Sequence, residues 1–310
     1  MTSDTMRAIR MHEFGGPNVL VEEEVPRPAP GAGEVLVRVR AVGVNPYEWK
    51  FRKGIFPSGV TFPLTPGTEI AGTVETLGAG VSGLRPGQDV FTAAATGAYA
   101  EYAVARATIV ADKPVSLDYV QAASVPVSAM TAWQALFDHG QLQPGQTVLV
   151  HGASGMVGLF AVQLAKWKGA TVIGTASSKN VDFVRSLGAD TVIAYDTQRF
   201  EDIAHNVDLV LDTIGGQTQE RSFGVLKRGG VLVSLITPPS QALAQQHGVR
   251  AENFSMMSNA TLLRTIRGLI DDGAIRTVVA EVLPLPDAGR AQDDSEHNHH
   301  PPGKIVLRVD

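Results

Sequence analysis

The spacing of apolar and polar positions divides the chain into two regions with different periods. From residue 6 to about residue 111, apolar residues alternate with polar ones in short runs such as 34–40 and 70–75, and Gly/Pro turns separate the runs. A period of two predicts short β-strands. Many short strands punctuated by turns are typical of a β-rich unit that forms a partly closed barrel.

From about residue 128 the period changes. Apolar runs of strand length now alternate with stretches of helical spacing; strands are predicted at 147–150, 171–174, 191–193, 207–211 and 230–235, and helices at 157–167, 181–187 and 219–226. This alternation predicts right-handed crossover connections and a parallel sheet.

The last part of the chain has a mixed pattern. A helix, an extended run and a strand are predicted at 262–270, 278–285 and 304–309. Because this tail is too short to form a domain, we expect it to return to the first region. We therefore predict one domain from residues 1–120 and 255–310 and a second from 121–254. The polar residues 293–302 are expected to form a surface loop.

A glycine-rich turn follows the first strand of the second region. Residues 148–158 read VLVHGASGMVG, which has the spacing of a dinucleotide fingerprint with Ala153 in the place of the first glycine. Gly155 would let the backbone approach a pyrophosphate, and Gly158 would let the helix pack closely on the strand. The helix that opens near Met156 would offer its N–H groups to the phosphates. We therefore predict nucleotide binding at this turn.

The end of the second strand favours one dinucleotide over the other. NAD sites usually carry an acidic residue about 20 residues after the fingerprint begins. Here residues 173–179 read IGTASSK and contain no carboxylate. Serine hydroxyls and Lys179 can instead bind a 2′-phosphate, although helix capping by Ser178 and a solvated Lys179 would explain the same residues. The sequence predicts NADPH rather than NADH.

Composition excludes several classes of protein. The 310 residues include no cysteine, which excludes disulfides, thiol nucleophiles and cysteine-bound metals. A net charge of -5 does not indicate a nucleic-acid partner. No apolar run approaches the roughly 20 residues of a membrane span, and the first ten residues do not resemble a secretory signal. We expect a cytoplasmic protein with no membrane association.

A series of short motifs occurs in a fixed order along the chain, at 6–9, 14–17, 30–37, 43–46, 66–72, 97–102, 130–133, 212–216 and 303–307. In these motifs the chain resembles the zinc-free branch of the medium-chain dehydrogenase/reductases, the quinone oxidoreductase (zeta-crystallin-like) group. The resemblance implies an α/β protein with a GroES-like β-barrel catalytic domain, a Rossmann doubly wound parallel-sheet cofactor domain and an active cleft between them. It also implies a homodimer in which NADPH reduces quinones or α,β-unsaturated carbonyls.

The resemblance also implies roles for individual residues. Asn45 would lie near the nicotinamide and the substrate, and Thr131 beside the nicotinamide. The remaining cofactor residues it implies are Ser154, Gly155, Met156 and Val157 at the pyrophosphate, Ser177, Lys179 and Tyr195 at the 2′-phosphate, and Leu235 and Ile236 along the nicotinamide. Some relatives carry a tyrosine where this chain has Lys50, and here a tyrosine stands at Tyr47 instead.

The residues argue against a catalytic metal. Thr68 stands before Glu69 where the zinc-binding branch has a histidine, and Asn45 lies in the region of another ligand. We expect His297, His299 and His300 to be solvated rather than to bind an ion. The sequence predicts no metal site.

Hydride transfer without a metal requires donors near the acceptor carbonyl, whose oxygen gains negative charge as hydride arrives. The candidates are the amide of Asn45, the hydroxyl of Tyr47 and the ammonium of Lys50. One alternative, an enoyl-thioester reductase, shares every motif. The other is a crystallin-like or sensor protein that keeps the fold and binds NADPH without catalysis.

Overall fold

The computed structural model describes residues 4–56, 59–93 and 95–310, so part of the N-terminal segment considered above lies outside the described residues. The chain divides into two compact units. The first comprises Met1–Val127, Ser258–Asp272 and Thr277–Asp310, and the second comprises Ser128–Met257 and Gly273–Arg276. The domain boundaries predicted from the sequence, 1–120 with 255–310 and 121–254, refer to independently folding domains, and they stay a prediction.

The N-terminal part of the first unit consists of short strands, as the alternating pattern predicts. The strands are β1 (Thr5–Met11), β2 (Leu20–Pro26), β3 (Glu34–Gly43), β4 (Glu69–Leu77), β5 (Asp89–Thr92), β6 (Tyr102–Arg106) and β7 (Val110–Asp112), and the helices are α1 (Pro46–Arg52) and α2 (Tyr119–Ala123). Strands β1 and β2 form a separate antiparallel pair. Strand β3 is the longest, and β4 and β6 pair with it in antiparallel fashion.

The middle of the chain alternates helices with parallel strands. The helices are α3 (Pro126–Trp133), α4 (Met156–Trp167), α5 (Val181–Ser186), α6 (Gly216–Ser222) and α7 (Gln241–His247), and the strands are β8 (Thr147–Val150), β9 (Thr171–Ala176), β10 (Thr191–Ala194), β11 (Val207–Asp212), β12 (Leu226–Ser234) and β13 (Arg250–Asn253). The sheet order is β10-β9-β8-β11-β12-β13, with every pair parallel. This is the strand order of a doubly wound dinucleotide-binding fold, so the predicted parallel sheet is confirmed.

Two predictions within this sheet need correction. The strand predicted at 230–235 is not the last one, because β13 adds a sixth strand at the edge. The sequence Arg-Ala-Glu-Asn of β13 lacks the apolar run of a buried strand, which is why its pattern gave no signal. The helix predicted at 219–226 begins and ends earlier, since α6 passes into a 3₁₀ turn at Phe223–Val225 and Leu226 already belongs to β12.

The C-terminal tail returns to the first unit, as predicted. It contains α8 (Ala260–Asp271), β14 (Val279–Pro284), α9 (Ala288–His297) and β15 (Lys304–Arg308). Strand β15 lies between β14 and β3, so the main sheet of the first unit has the order β14-β15-β3-β4-β5-β7, with β6 also paired to β3.

The loop predicted at 293–302 is wrong over its first half. Helix α9 continues to His297, and the backbone turns only at Asn298, which has the left-handed φ of 53° of a helix C-cap. The segment is polar, but it contains no proline before Pro301 and its charges pair along one helical face, with Arg290 3.3 Å from Asp294. The polar residues 293–297 therefore belong to a partly exposed helix rather than to a loop.

Each unit has its own core. In the first, apolar side chains of β3, β4 and β15 such as Val37, Ile70 and Leu307 are fully buried. In the second, Leu149 and Val210 of the central strands pack with Phe223. Of the helices in the described parts of the chain, none combines the length and apolar character that crossing a bilayer requires.

Candidate functional site

The glycine-rich turn of the second unit has the geometry of a phosphate cradle. Strand β8 ends at Val150, and helix α4 begins at Met156 with Gly155 as its N-cap and no hydrogen bond from a capping side chain. A β-carbon built on Gly155 would meet only the carbonyl oxygen of Gly152, at 3.3 Å, among the described atoms within 4 Å. The first-turn N–H groups of α4 are thus presented beside a surface that an anion can approach.

Gly158 has a different role in the same turn. A β-carbon there would overlap the carbonyl oxygen of Gly152 and lie 2.7 Å from the α-carbon of Ala153. Both are backbone atoms, which cannot move aside as a flexible side chain can. A glycine at position 158 therefore allows the close packing of helix and strand that the fingerprint requires.

The residues predicted to bind a 2′-phosphate lie at the ends of two neighbouring strands. Ser177 follows β9, and Lys179 is exposed in the 3₁₀ turn that comes next. Tyr195 follows β10, with 62% of its surface exposed and its N–H donating to the carbonyl of Ala176 at 3.0 Å. The structure therefore brings these three residues to one edge of the sheet.

A further hydrogen bond connects this edge to the glycine-rich turn. The side-chain amide of Asn180 donates to the hydroxyl of Ser154 at 3.4 Å. Ser154, for which the resemblance implies a place at the pyrophosphate, therefore lies within reach of the loop that is predicted to bind the 2′-phosphate.

One acidic residue at this edge was missed by the sequence analysis. The backbone N–H of Ser178 donates to both carboxylate oxygens of Asp196, at 3.1 Å each, and hydrogen bonds from Ser178 lower the pKa of Asp196. Asp196 follows β10, the third strand of the second unit in chain order, and therefore lies outside residues 173–179, where a carboxylate is expected in an NAD site. The negative charge of Asp196 therefore makes this loop less favourable for an anion than residues 173–179 alone indicate.

A buried carboxylate shapes the next turn along the sheet. Asp212, at the end of β11, accepts hydrogen bonds from the N–H groups of Ile214 and Gly215 at 2.9 and 2.8 Å, and from Gln219 and Ser234 at 3.0 Å each. With four donors on one carboxylate, the turn that carries Ile214 is held rigidly at the carboxyl edge of the sheet.

The remaining predicted cofactor residues lie in two places. Leu235 and Ile236 directly follow β12, and the N–H of Leu235 donates to the carbonyl of Asp212 at 3.0 Å, so this segment lies beside the turn just described. Thr131 lies almost buried on α3. Its assignment to the nicotinamide stays a prediction from the resemblance.

His151 lies beside the glycine-rich turn but is not arranged as a base. Its ring is buried between the hydroxyls of Thr175 and Ser222, at 3.2 and 2.9 Å. Burial lowers its pKa to about 4, so the imidazole is neutral at neutral pH. Both nitrogens are occupied by internal partners, which indicates a structural role.

The first unit contains a buried polar cluster around Asn45, which we call the Asn45 cluster (Asn45, Glu48, Glu69, Tyr99 and Lys304). Asn45 follows β3, and because β4 and β15 both run antiparallel to β3, their first residues, Glu69 and Lys304, start beside its end. The ammonium of Lys304 donates to Oδ1 of Asn45 at 2.6 Å and lies 2.7 Å from Oε2 of Glu69. The amide Nδ2 of Asn45 donates to the same Oε2 at 3.0 Å.

A second arm of the cluster connects Asn45 to Tyr99. Asn45 is the N-cap of α1, and its N–H donates to Oε2 of Glu48 at 2.7 Å. The hydroxyl of Tyr99 donates to the same oxygen at 2.8 Å. The other oxygen of Glu48 is buried without a hydrogen-bond partner among the described residues. Burial raises the pKa of Glu48 to about 7, although the bonds from Asn45 and Tyr99 oppose the shift.

Stability should depend on the protonation of Glu48. Its pKa in the folded state exceeds its ordinary value of 4.5, so its contribution is complete below about pH 4.5 and is lost as pH rises toward 7. Glu48→Gln imitates the protonated form at every pH. We expect the free energy of unfolding of the variant, minus that of the wild type, to rise by about 3 kcal/mol between pH 4.5 and 7.

Urea denaturation at a series of pH values measures this difference. The neutral His151 is common to both proteins, so its opposite pH dependence cancels. Glu220→Gln makes the same chemical change at an exposed helix carboxylate and is the matched control. A difference for Glu48→Gln that does not change with pH would contradict the prediction.

Tyr47 and Lys50 lie on α1 but outside the hydrogen-bonded cluster. Tyr47 is 54% exposed, and its ring stacks on those of Phe51 and Phe56 at 6.1 and 5.5 Å between centroids. The ammonium of Lys50 lies 5.5 Å from the centre of the Trp49 ring. Of the three predicted catalytic residues, only Asn45 belongs to the buried cluster.

The partners of Asn45 were not identified from the sequence. Glu69, Tyr99 and Lys304 lie in the motifs 66–72, 97–102 and 303–307, but these motifs do not indicate that the three side chains meet. A partial signal exists for Lys304, since a lysine next to the apolar run 305–307 requires an acidic partner if it is buried.

Comparison with known proteins agrees with this architecture. Residues 31–115 match the family described as the alcohol dehydrogenase GroES-like domain, and residues 187–307 match the family described as zinc-binding dehydrogenase. The quinone oxidoreductase of Rattus norvegicus is 32% identical over 320 residues, which cover 97% of each chain. The chloroplastic NADPH-dependent alkenal/one oxidoreductase of Arabidopsis thaliana is 32% identical over 319 residues, covering 97% of this chain and 79% of the relative.

A solved structure supports the same conclusion. The Escherichia coli quinone oxidoreductase complexed with NADPH superposes with a TM-score of 0.89 at 29% identity, covering 98% of this chain and all of that one. The fold and the matches together define a dehydrogenase/reductase with a GroES-like domain and a Rossmann-like domain. The chain belongs to the medium-chain dehydrogenase/reductase family, as the resemblance in its motifs predicted.

The residues around Asn45 do not fit the zinc ion that the second family description mentions. The position next to Asn45 and Glu69 already holds a cation, the ammonium of Lys304. The donors there are an amide and a carboxylate, without the imidazole or thiolate that zinc sites use. Elsewhere in the described residues, Asp293, Glu296 and His297 form one compact group, but Glu296 is ion-paired with Lys53.

Proposed function

We propose that this protein is a zinc-independent oxidoreductase that uses NADPH to reduce quinones or α,β-unsaturated carbonyl compounds. As a member of its family it is an oxidoreductase, and the proposal concerns its cofactor and its substrate. The observation that carries the proposal is the phosphate cradle at Gly155, followed by a loop with Ser177 and Lys179 and no carboxylate of its own. The similarity to quinone oxidoreductases, to an NADPH-dependent alkenal/one oxidoreductase and to a quinone oxidoreductase complexed with NADPH supports both halves of the proposal.

The residues of the second unit fit the dinucleotide. The N–H groups of residues 154–157 would bind the pyrophosphate, and Ser177, Lys179 and Tyr195 would contact the 2′-phosphate. Thr131, Leu235 and Ile236 would lie along the nicotinamide. When bound, the reduced nicotinamide supplies the hydride.

Asn45 is proposed as the donor to the acceptor carbonyl. A carbonyl oxygen gains negative charge when hydride reaches the conjugated system, and an N–H donor held in place stabilises that charge. The hydroxyl of Tyr47 and the ammonium of Lys50 stand three residues apart on α1 and are therefore neighbours on the helix surface. They are proposed as further donors that contact the substrate.

Steady-state oxidation of NADPH tests the function. The purified protein is assayed with p-benzoquinone, crotonaldehyde and crotonyl-CoA as acceptors, with NADH as the parallel cofactor. Turnover with the quinone or the enal supports the proposal. Turnover with crotonyl-CoA alone would replace it with an enoyl-thioester reductase, and tight NADPH binding without oxidation would replace it with a binding protein.

Lys179→Ala should weaken NADPH binding selectively. Removing an ammonium beside a 2′-phosphate removes a charge-assisted contact, so we expect Kd for NADPH to rise by about tenfold while Kd for NADH changes less than about twofold. Fluorescence titration measures both constants. Equal changes for the two cofactors would place Lys179 away from the 2′-phosphate.

Asp196→Asn should act in the opposite direction. The substitution removes a negative charge from the same edge and keeps an acceptor for the N–H of Ser178. We expect NADPH to bind a few times more tightly and NADH to bind nearly as before. A loss of NADPH affinity in this variant would show that Asp196 orders the loop rather than repels the phosphate.

Homodimer formation and a cytoplasmic location stay predictions from the resemblance and from the sequence. Sedimentation of the purified protein would measure the first directly.

A further inference from the structure

We propose that the buried ion pair of Lys304 and Glu69 is a positioning device that fixes the side-chain amide of Asn45 in one orientation, with its second N–H as the donor for the substrate. The inference rests on the proposed function, because it assigns partners to the residue that contacts the acceptor carbonyl.

The hydrogen-bond partners of the Asn45 side-chain amide are compatible with only one of its two possible orientations. An ammonium can only donate, so the atom of Asn45 that faces Lys304, at 2.6 Å, must be the carbonyl oxygen. A carboxylate can only accept, so the atom that faces Glu69, at 3.0 Å, must be the amide nitrogen. Rotating the amide by half a turn would place NH₂ against the ammonium and oxygen against the carboxylate.

This orientation leaves one polar hydrogen for another molecule. The amide nitrogen carries two hydrogens, and Glu69 accepts one of them. Among the described residues, the second hydrogen has no acceptor assigned to it. A donor held by two charged partners loses little entropy when it binds a substrate oxygen, which is what stabilising a developing charge requires.

The surrounding backbone is shaped for the ion pair. A β-carbon on Gly43, at the end of β3, would lie 2.5 Å from the carbonyl oxygen of Ala123, 2.6 Å from Oε2 of Glu69 and 2.9 Å from Cε of Lys304. The other carboxylate oxygen of Glu69, Oε1, accepts a hydrogen bond from the N–H of Val127 at 2.8 Å. The carboxylate therefore cannot rotate freely, and both partners of Asn45 are themselves held.

The bond from Val127 makes a specific substitution informative. In a Glu69→Gln variant, the N–H of Val127 requires the side-chain oxygen of Gln, so the NH₂ of Gln faces Asn45. With Lys304→Met in the same protein, the ammonium no longer opposes rotation. The double variant therefore turns the Asn45 amide around, so that its oxygen faces Gln and its role as a donor is lost, while neither member of the ion pair is left as an unpaired charge.

The test measures hydride transfer in single turnovers with saturating NADPH and p-benzoquinone. Four proteins are compared: the wild type, Asn45→Ala, the double variant Lys304→Met/Glu69→Gln, and the triple variant that combines all three changes. We expect Asn45→Ala and the double variant each to slow hydride transfer at least tenfold, with Kd for NADPH unchanged. We expect the triple variant to be no more than about twofold slower than Asn45→Ala, because the pair acts through Asn45.

The other outcomes overturn the inference in distinguishable ways. A triple variant as slow as the product of the two separate effects would show that the pair acts independently of Asn45. A double variant as fast as the wild type would show that the orientation does not matter. If Asn45→Ala itself transfers hydride normally, the proposed role of Asn45 fails along with the positioning, whereas lack of turnover in the wild type refutes the proposed function as a whole.

Lys166→Met is the matched control. It removes a lysine that forms an exposed ion pair with Asp190 at 2.8 Å in the second unit. It should leave the rate of hydride transfer at the wild-type value.

Discussion

Gly158→Ala is expected to lower the free energy of unfolding of the second unit by about 3 kcal/mol and to abolish measurable NADPH binding. The added methyl group has no space, because it overlaps the carbonyl oxygen of Gly152 and the α-carbon of Ala153. The overlap can be removed only if α4 moves away from β8. Overpacking of this kind typically costs about 1–3 kcal/mol or more. The same movement displaces the N–H groups that face the phosphates.

Urea denaturation and a fluorescence titration with NADPH measure the two effects. Gly224→Ala is the control, since Gly224 is exposed in the same unit and a β-carbon there would meet nothing within 4 Å. Its stability should stay within about 0.5 kcal/mol of the wild type. NADPH affinity of wild-type strength in Gly158→Ala would mean that the turn does not hold the cofactor.

Lys304→Met alone should destabilise the first unit by about 3–5 kcal/mol. The ammonium and the carboxylate of Glu69 are both buried, so removing one leaves the other without a counter-charge. The methionine side chain has nearly the same length, and the loss therefore reports the charge rather than a cavity.

Adding Glu69→Gln to Lys304→Met should recover most of this loss, because neither partner is then charged. Equilibrium unfolding in urea compares the single and double variants, and Lys166→Met again supplies the exposed-lysine control, expected within about 1 kcal/mol of the wild type. A double variant less stable than Lys304→Met would contradict the assignment of an ion pair.

The parallel sheet and its phosphate turn could be predicted from the sequence because their signals are local. The strand, the turn and the helix at 148–158 follow one another directly, and Gly155 and Gly158 lie where the fingerprint requires them. The apolar strands of the sheet centre stand out for the same reason. The polar edge strand β13 does not, because packing against β12 rather than its own pattern makes it a strand.

The Asn45 cluster could be predicted only in part because its members are remote in sequence. Asn45 was found through its motif, but Glu69 lies 24 residues away and Lys304 lies 259 residues away. Whether these residues come into contact depends on which strands flank β3. Strand order cannot be predicted from a local sequence pattern. Asp196 was missed in a similar way, because it reaches Ser178 from the neighbouring strand.

The position of β15 between β14 and β3 has a consequence for biosynthesis. The ribosome delivers the whole second unit before it delivers Lys304, so the second unit can fold while the main sheet of the first still lacks an inner strand. Until that strand emerges, Glu69 has no ammonium beside it and Asn45 has no fixed amide. A nascent chain can therefore form the parallel sheet of the second unit before Lys304 fixes the amide of Asn45.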